Sequence, residues 1–183
     1  MNQTKNKTLY IVHAAVIAAL YVVLTYIAAG FDLASGAIQV RFSECLTILP
    51  FFTGAAVPGV TIGCLLANII TGSAAPDVIF GTLATLIGAV GTYYLRKNRY
   101  LCSIPPVLSN AIIIPFVLKY AYGLNDGMEL FGITFSALPA FAITVGIGEI
   151  ITCVIFGQIL ISGLMPVRGR LFGIDDQVRK TAR

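Results

Sequence analysis

Unbroken apolar stretches of about twenty residues dominate this chain, the length a helix needs to cross a hydrocarbon core ~30 Å thick. The first runs from Leu9 to Gly30 behind the polar leader MNQTKNKT. A secretory signal would show a core of only ~7–15 apolar residues and a cleavage site, so this stretch reads as a retained membrane helix. Charged residues make up 11% of the 183 positions, against roughly 25% in a soluble domain, too few to keep a globular surface in water. The expected fold is therefore all-α: one integral membrane helix bundle spanning residues 1–183.

Six spans are expected, at residues 9–30, 44–57, 58–72, 77–95, 101–122 and 137–165, followed by a basic tail at 166–183. The second and third are shorter than a full crossing. They meet at TGAAVPG, where Gly54, Pro58 and Gly59 can break or kink a helix. Irregular backbone at membrane depth needs cover from protein or a water-filled cavity. Pro105 and Pro106 suit a helix start, and Pro115 is expected to kink the fifth span. Orientation follows from Lys and Arg near the span ends. With both termini inside, Lys5, Lys7, Arg96, Lys97, Arg99, Arg168, Arg170, Arg179, Lys180 and Arg183 fall on the cytoplasmic side, ten of the twelve basic residues. Only Arg41 and Lys119 fall outside. Positive charge spread in this way marks membrane topology rather than a nucleic-acid surface.

An ionisable group at mid-membrane costs roughly 2.5–3.5 kcal/mol on insertion scales, so each one needs a reason. Arg41 and Glu44 sit in QVRFSECLTILPFF, Asn68 near the outer end of the third span, Asp77 at the start of the fourth, Asn110 and Lys119 in the fifth, and Glu149 in VGIGEIITC. Most belong to the outer half, where they can converge on one outward-facing pocket. Plainer roles stay open for several. Arg41 and Glu44 can pair across one turn, Asp77 can serve the helix dipole, Lys119 can snorkel, and the two asparagines can join helices. Glu149 has Gly146 and Gly148 beside it and no local cation; its plain role is a protonated structural carboxyl.

The first span carries HAAVIAAL, in which Ala14 with Ala18 and Ala15 with Ala19 place small residues four apart. Such faces let a second helix approach closely, either within the chain or from a partner subunit. Chemistry of other kinds finds no support. There is no phosphate loop, HExxH or GxSxG, and GTLATLIGAVG lacks the strand and acidic residue of a dinucleotide site. The lone His13 and the scattered Cys45, Cys64, Cys102 and Cys153 make no metal set. No catalytic residue, cofactor or metal is expected.

The stretches AIQVRFSECLTILPFF, PGVTIGCLLANIITG, DVIFGTLATLIGAVGTYYLRK, PPVLSNAIIIPFVL and VGIGEIITC, in this order, resemble the QueT family. That family belongs to the substrate-binding S components of energy-coupling factor (ECF) vitamin transporters. The resemblance runs from about His13 to Gly163. It implies a six-span bundle in a bacterial plasma membrane with both ends inside, binding a scarce micronutrient near the outer face. Uptake is then driven by a transmembrane coupling subunit and two ATPases. It implies that Ala14, Ala15, Ala18 and Ala19 match an alanine motif that docks the coupling subunit. It also implies a cargo from queuosine salvage: queuine, queuosine or a pre-queuosine base. For such a 7-deazaguanine, Glu149 or Glu44 can accept the N1–H and amino donors, while Asn68 and Asn110 read O6 or N3. Asp77 suits a cationic aminomethyl group, and Phe42, Phe80 or Tyr122 can stack. Arg41 and Lys119 complete the expected substrate set. An S component for another vitamin and a stand-alone secondary transporter are the alternatives.

Overall fold

The structure, a computed structural model, describes residues 2–30, 41–124, 128–130 and 133–172, with side chains for 7–30, 41–124 and 135–172. Of the basic residues used for orientation, Arg179, Lys180, Arg183 and the side chain of Lys5 lie outside it.

Helix α1 (Asn2–Gly30) leads to a 3-10 helix, Phe42–Phe51, then α2 (Ala56–Ile70) and α3 (Ala75–Leu95). A 3-10 turn, Leu101–Ser103, opens α4 (Ile104–Phe116), which widens into a π stretch, Val117–Ala121. Helix α5 (Ala137–Glu149) passes through a second π stretch, Ile150–Phe156, into α6 (Gly157–Leu164), and a further 3-10 turn leads to the short α7 (Arg168–Phe172). Among the described residues, four continuous helical stretches, Lys7–Gly30, Ala75–Leu95, Leu101–Ala121 and Ala137–Phe172, are long and apolar enough to cross a membrane; Phe42–Phe51 and Ala56–Ile70 are shorter apolar helices. Between α4 and α5 a small hairpin interrupts the helical pattern: β1 (Met128–Leu130) pairs antiparallel with β2 (Ile133–Phe135), Met128 opposite Phe135 and Leu130 opposite Ile133.

The expected break in TGAAVPG falls earlier than Pro58. Chain direction changes over residues 52–55, and Pro58 sits in the first turn of α2, where backbone N–H groups have no helical partner to lose. Pro105 and Pro106 lie at the start of α4, and Pro115 lies one residue from its end, just before the π stretch.

Packing runs α1 on α2, α2 on α3, α3 on α4 and α4 on α5, with the 3-10 helix in contact with α1, α2, α3, α6 and the second π stretch. This segment is thus the centre of the bundle. Ser43, Glu44 and Leu46–Pro50 are all buried. Ten residues of 3-10 helix exceed the usual three or four, and protein on every side is the condition for such backbone at membrane depth. Side-chain donors support it: Thr47 Oγ1 donates to the Glu44 carbonyl at 2.6 Å, and Cys153 Sγ lies 3.4 Å from the same oxygen.

Close approach of α1 and α2 rests on glycine. A Cβ at Gly59 would meet the Ala14 carbonyl at 2.9 Å, and one at Gly63 would meet Tyr21 Cβ at 2.7 Å and Ala18 Cα at 3.0 Å. The α1 alanines are therefore divided. Ala14 and Ala18 face α2, whereas Ala15 and Ala19 are exposed beside Val16 and Val23. At the far end, Phe172 of α7 stacks on Phe52 with centroids 5.3 Å apart and tilts against His13 at 5.7 Å.

Candidate functional site

The C-terminal ends of α1 and α2, the turn that follows α2 and the start of the 3-10 helix meet around a polar cavity of about 220 Å³. Its walls include Tyr21, Thr25, Arg41, Ser43, Asn68 and Ser73. Asp77 and Leu95, at opposite ends of α3, are ~27 Å apart at ~1.5 Å per residue, so the cavity lies at the end of the bundle remote from Arg96, Lys97 and Arg99. α2 and α3 bring Asn68 to Asp77, where its Nδ2 donates to the backbone carbonyl at 3.4 Å. Gly81, one turn along α3, leaves the space: a Cβ there would stand 3.4 Å from Asn68 Nδ2 and 3.9 Å from Arg41 Nη1. Arg41 shares this region with the carboxyl groups of Asp77 and Glu44.

Behind this cavity the polar groups continue inward. Glu44, 1% exposed, accepts from the Tyr21 hydroxyl and, at 3.2 Å, from Thr85 Oγ1. A hydrogen bond contributes ~0.5–1.5 kcal/mol net, so these two offset part of the cost of a carboxyl group inside the bundle. Thr85 also lies 3.4 Å from Cys64 Sγ, and Thr25 Oγ1 is 2.8 Å from Ser43 Oγ. Cys153 links the next layer: its Sγ donates to Glu149 Oε2 at 3.2 Å while touching the Glu44 carbonyl. Glu149 ends α5 at the π stretch and is 6% exposed; Asn110 of α4, 3% exposed, is its neighbour.

Among the described residues, three buried polar atoms here find no hydrogen-bond partner: Glu44 Oε2, Asp77 Oδ1 and Asn110 Nδ2. Two are acceptors and one is a donor. Unsatisfied groups of this kind cost ~1–3 kcal/mol each; they belong to the polar column behind and beside the cavity, whose own walls are formed by other residues.

Of the residues expected from sequence, Arg41, Glu44, Asn68, Asp77, Asn110 and Glu149 form this connected column. Tyr122 joins it from outside, its hydroxyl donating to Asp77 Oδ2 at 2.8 Å. Phe80 and Lys119 are not brought to the cavity. Phe80 is 45% exposed and lines an apolar groove between α3 and α4, and Lys119 Nζ stands over the Tyr120 ring, 5.5 Å from its centroid. Phe42 packs edge-on against Phe156 at 5.5 Å rather than facing the cavity wall. The sequence reading missed Tyr21, Thr25, Thr85, Cys64 and Cys153. A signal existed for the first two. Ala14, Ala18, Tyr21, Thr25 and Ala28 follow the three-to-four spacing of one helical face, and that small-residue face is the one turned inward.

A family model described as QueT transporter matches residues 11–166. Over 83 residues the chain is 42% identical to the "Queuosine precursor transporter QueT" of Lactococcus lactis subsp. cremoris (strain MG1363), a stretch covering 45% of this chain and 48% of that protein. The match thus spans about half the length of that relative. No solved structure matches.

Proposed function

Since the chain belongs to the QueT transporter family, a multi-pass transport protein of the cell membrane, we propose that it is the substrate-binding S component of an ECF importer whose cargo is a queuosine-related 7-deazaguanine. The observation that carries this reading is the polar cavity at one end of an otherwise apolar bundle, backed by three buried polar atoms without partners. A guanine-like edge presents an N1–H and an amino group side by side, which two carboxylate oxygens accept together. Glu44 Oε1 already accepts from Tyr21 and Thr85, so its Oε2 offers one of the two contacts, and Glu149 stands in the next layer. Asn68 and Arg41 supply donors for O6, and Asp77 supplies a counter-charge for a protonated aminomethyl group. Tyr21, on the cavity wall, offers its ring for stacking.

In this reading six helical segments cross or enter the membrane, both termini are cytoplasmic and the cavity faces out. Uptake depends on a coupling subunit and two ATPases, and the exposed Ala15 and Ala19 face of α1 is the one open to the coupling subunit. Isothermal titration of the purified protein with queuine, queuosine, pre-queuosine bases and guanine tests the assignment. Tight binding of a deazaguanine with guanine weak is expected, and Glu149→Gln is expected to lower affinity at least tenfold, about 1.4 kcal/mol. Absence of binding across the set removes the cargo assignment, and unchanged affinity in Glu149→Gln removes that residue's role.

A further inference from the structure

The groove between α3 and α4 differs in kind from the polar cavity. It encloses about 530 Å³, with Pro76, Phe80 and Leu83 on one wall and Ile112, Phe116 and Tyr120 on the other. Phe80, Ile112 and Phe116 are 45%, 59% and 48% exposed, so the groove faces away from the bundle interior. From Ile112 to Ala121 the α4 wall covers nine residue steps, ~14 Å at ~1.5 Å per step. That is close to half of a hydrocarbon core ~30 Å thick. The groove therefore has the depth of one leaflet.

Its chemistry changes only at the end where α4 runs out. Lys119 holds its ammonium over the Tyr120 ring, and Tyr120 itself is a groove wall. The carboxylate on that side, Asp77, has one oxygen engaged by the Tyr122 hydroxyl. A cation, two tyrosines and a carboxylate held by one of them at that end, with apolar wall beneath, is the distribution of an interfacial belt above an acyl slot. The apolar wall fits a hydrocarbon chain of one leaflet, and the ammonium fits the negative charge attached to that chain.

From this arrangement we infer that the α3–α4 groove is a binding site for an anionic phospholipid, one acyl chain lying along Phe80, Leu83 and Ile112 and the phosphate meeting Lys119. Lys119 is thereby a lipid ligand, and the inference stands independently of the cargo. The ammonium also gives the site a preference by charge. Attraction of one Lys to an anionic membrane lipid corresponds to about a fivefold preference over a zwitterionic lipid with the same chains.

Native mass spectrometry tests this on full-length protein equilibrated with equal amounts of phosphatidylglycerol and phosphatidylcholine of matched acyl chains. The wild type is expected to retain one phosphatidylglycerol with about fivefold preference. Lys119→Gln should abolish the preference and Lys119→Arg should keep it. Ala121→Phe and Leu83→Trp fill the groove from opposite walls and should each abolish retention of either lipid; two variants guard against one failing to fold. Equal retention of both lipids by the wild type overturns the inference. So does a preference that survives Lys119→Gln, or a lipid still held by a folded groove-filling variant.

Discussion

Gly63→Ala adds one methyl group at the closest point between α1 and α2. Its Cβ would stand 2.7 Å from Tyr21 Cβ and 3.0 Å from both Ala18 Cα and the Ala18 carbonyl oxygen. Two of these three atoms are backbone and the third is a Cβ, so no rotamer change relieves the clash and the helices must separate. Overpacking of this kind costs ~1–3 kcal/mol. For a chain of 150–250 residues each kcal/mol moves Tm by ~2–4 °C, which gives a fall of ~2–12 °C. Separation also withdraws Tyr21 from Glu44, so the site suffers with the fold. Thermal unfolding in detergent, read by circular dichroism, provides the stability measurement, and calorimetry with the cargo provides the second readout. Gly163→Ala is the control. Nothing lies within 4 Å of its Cβ position near the end of α6, and Gly to Ala within a helix stabilises by roughly 0.5–1 kcal/mol. A Gly63→Ala protein with the wild-type Tm would refute the close α1–α2 contact and with it the placement of Tyr21.

Tyr21→Phe keeps the Cβ contact at Gly63 and deletes only the hydroxyl that donates to Glu44. Loss of one hydrogen bond to a buried carboxylate should cost ~1.5–3 kcal/mol, visible as a lower Tm, and an unchanged melting curve would mean that the bond is not made in the membrane protein. The divided alanine face of α1 gives a paired outcome. Ala19→Leu, on the exposed side, should leave Tm near the wild-type value and reduce co-purification with the coupling module, whereas Ala18→Leu, facing Gly63, should lower Tm by itself. Equal stability of the two variants would contradict the assignment of faces.

The helical membrane fold was legible because composition alone decides it: runs of apolar residues longer than a leaflet have few soluble uses. Glu44, Asn68, Asn110 and Glu149 were legible for a related reason, since polar groups in such runs are costly enough to demand partners. Hydroxyl groups carry no such signal. Thr61, Thr71 and Thr152 each donate to the carbonyl four residues back, at 2.8, 2.8 and 3.0 Å, while Thr85 spends its hydroxyl on Glu44, 41 positions away. A threonine in an apolar helix can satisfy itself locally, so its sequence context does not say which of them reaches across. Tyr21 and Cys153 are hidden in the same way, as residues at home in a membrane helix until a carboxylate is placed beside them.

Phe80 and Lys119 show a different limit, one of direction rather than depth. Both stand at the same end of the bundle as the cavity, as their positions in the spans imply, yet Phe80 lines the α3–α4 groove and Lys119 lies over Tyr120 at its edge. Regular helical spacing turns each residue ~100° from the last, which is enough to assign a face only while the helix stays regular. After Pro115 it does not: Val117–Ala121 is a π stretch with its wider turn. Every residue beyond an inserted position is rotated by about that ~100° relative to an α-helical projection. Lys119 and Tyr122 lie in or after this segment, and Glu149 meets the second π stretch at its edge. The widened turn after Pro115 therefore decides which way Lys119 and Tyr122 look, and a regular helical projection of the sequence does not anticipate it.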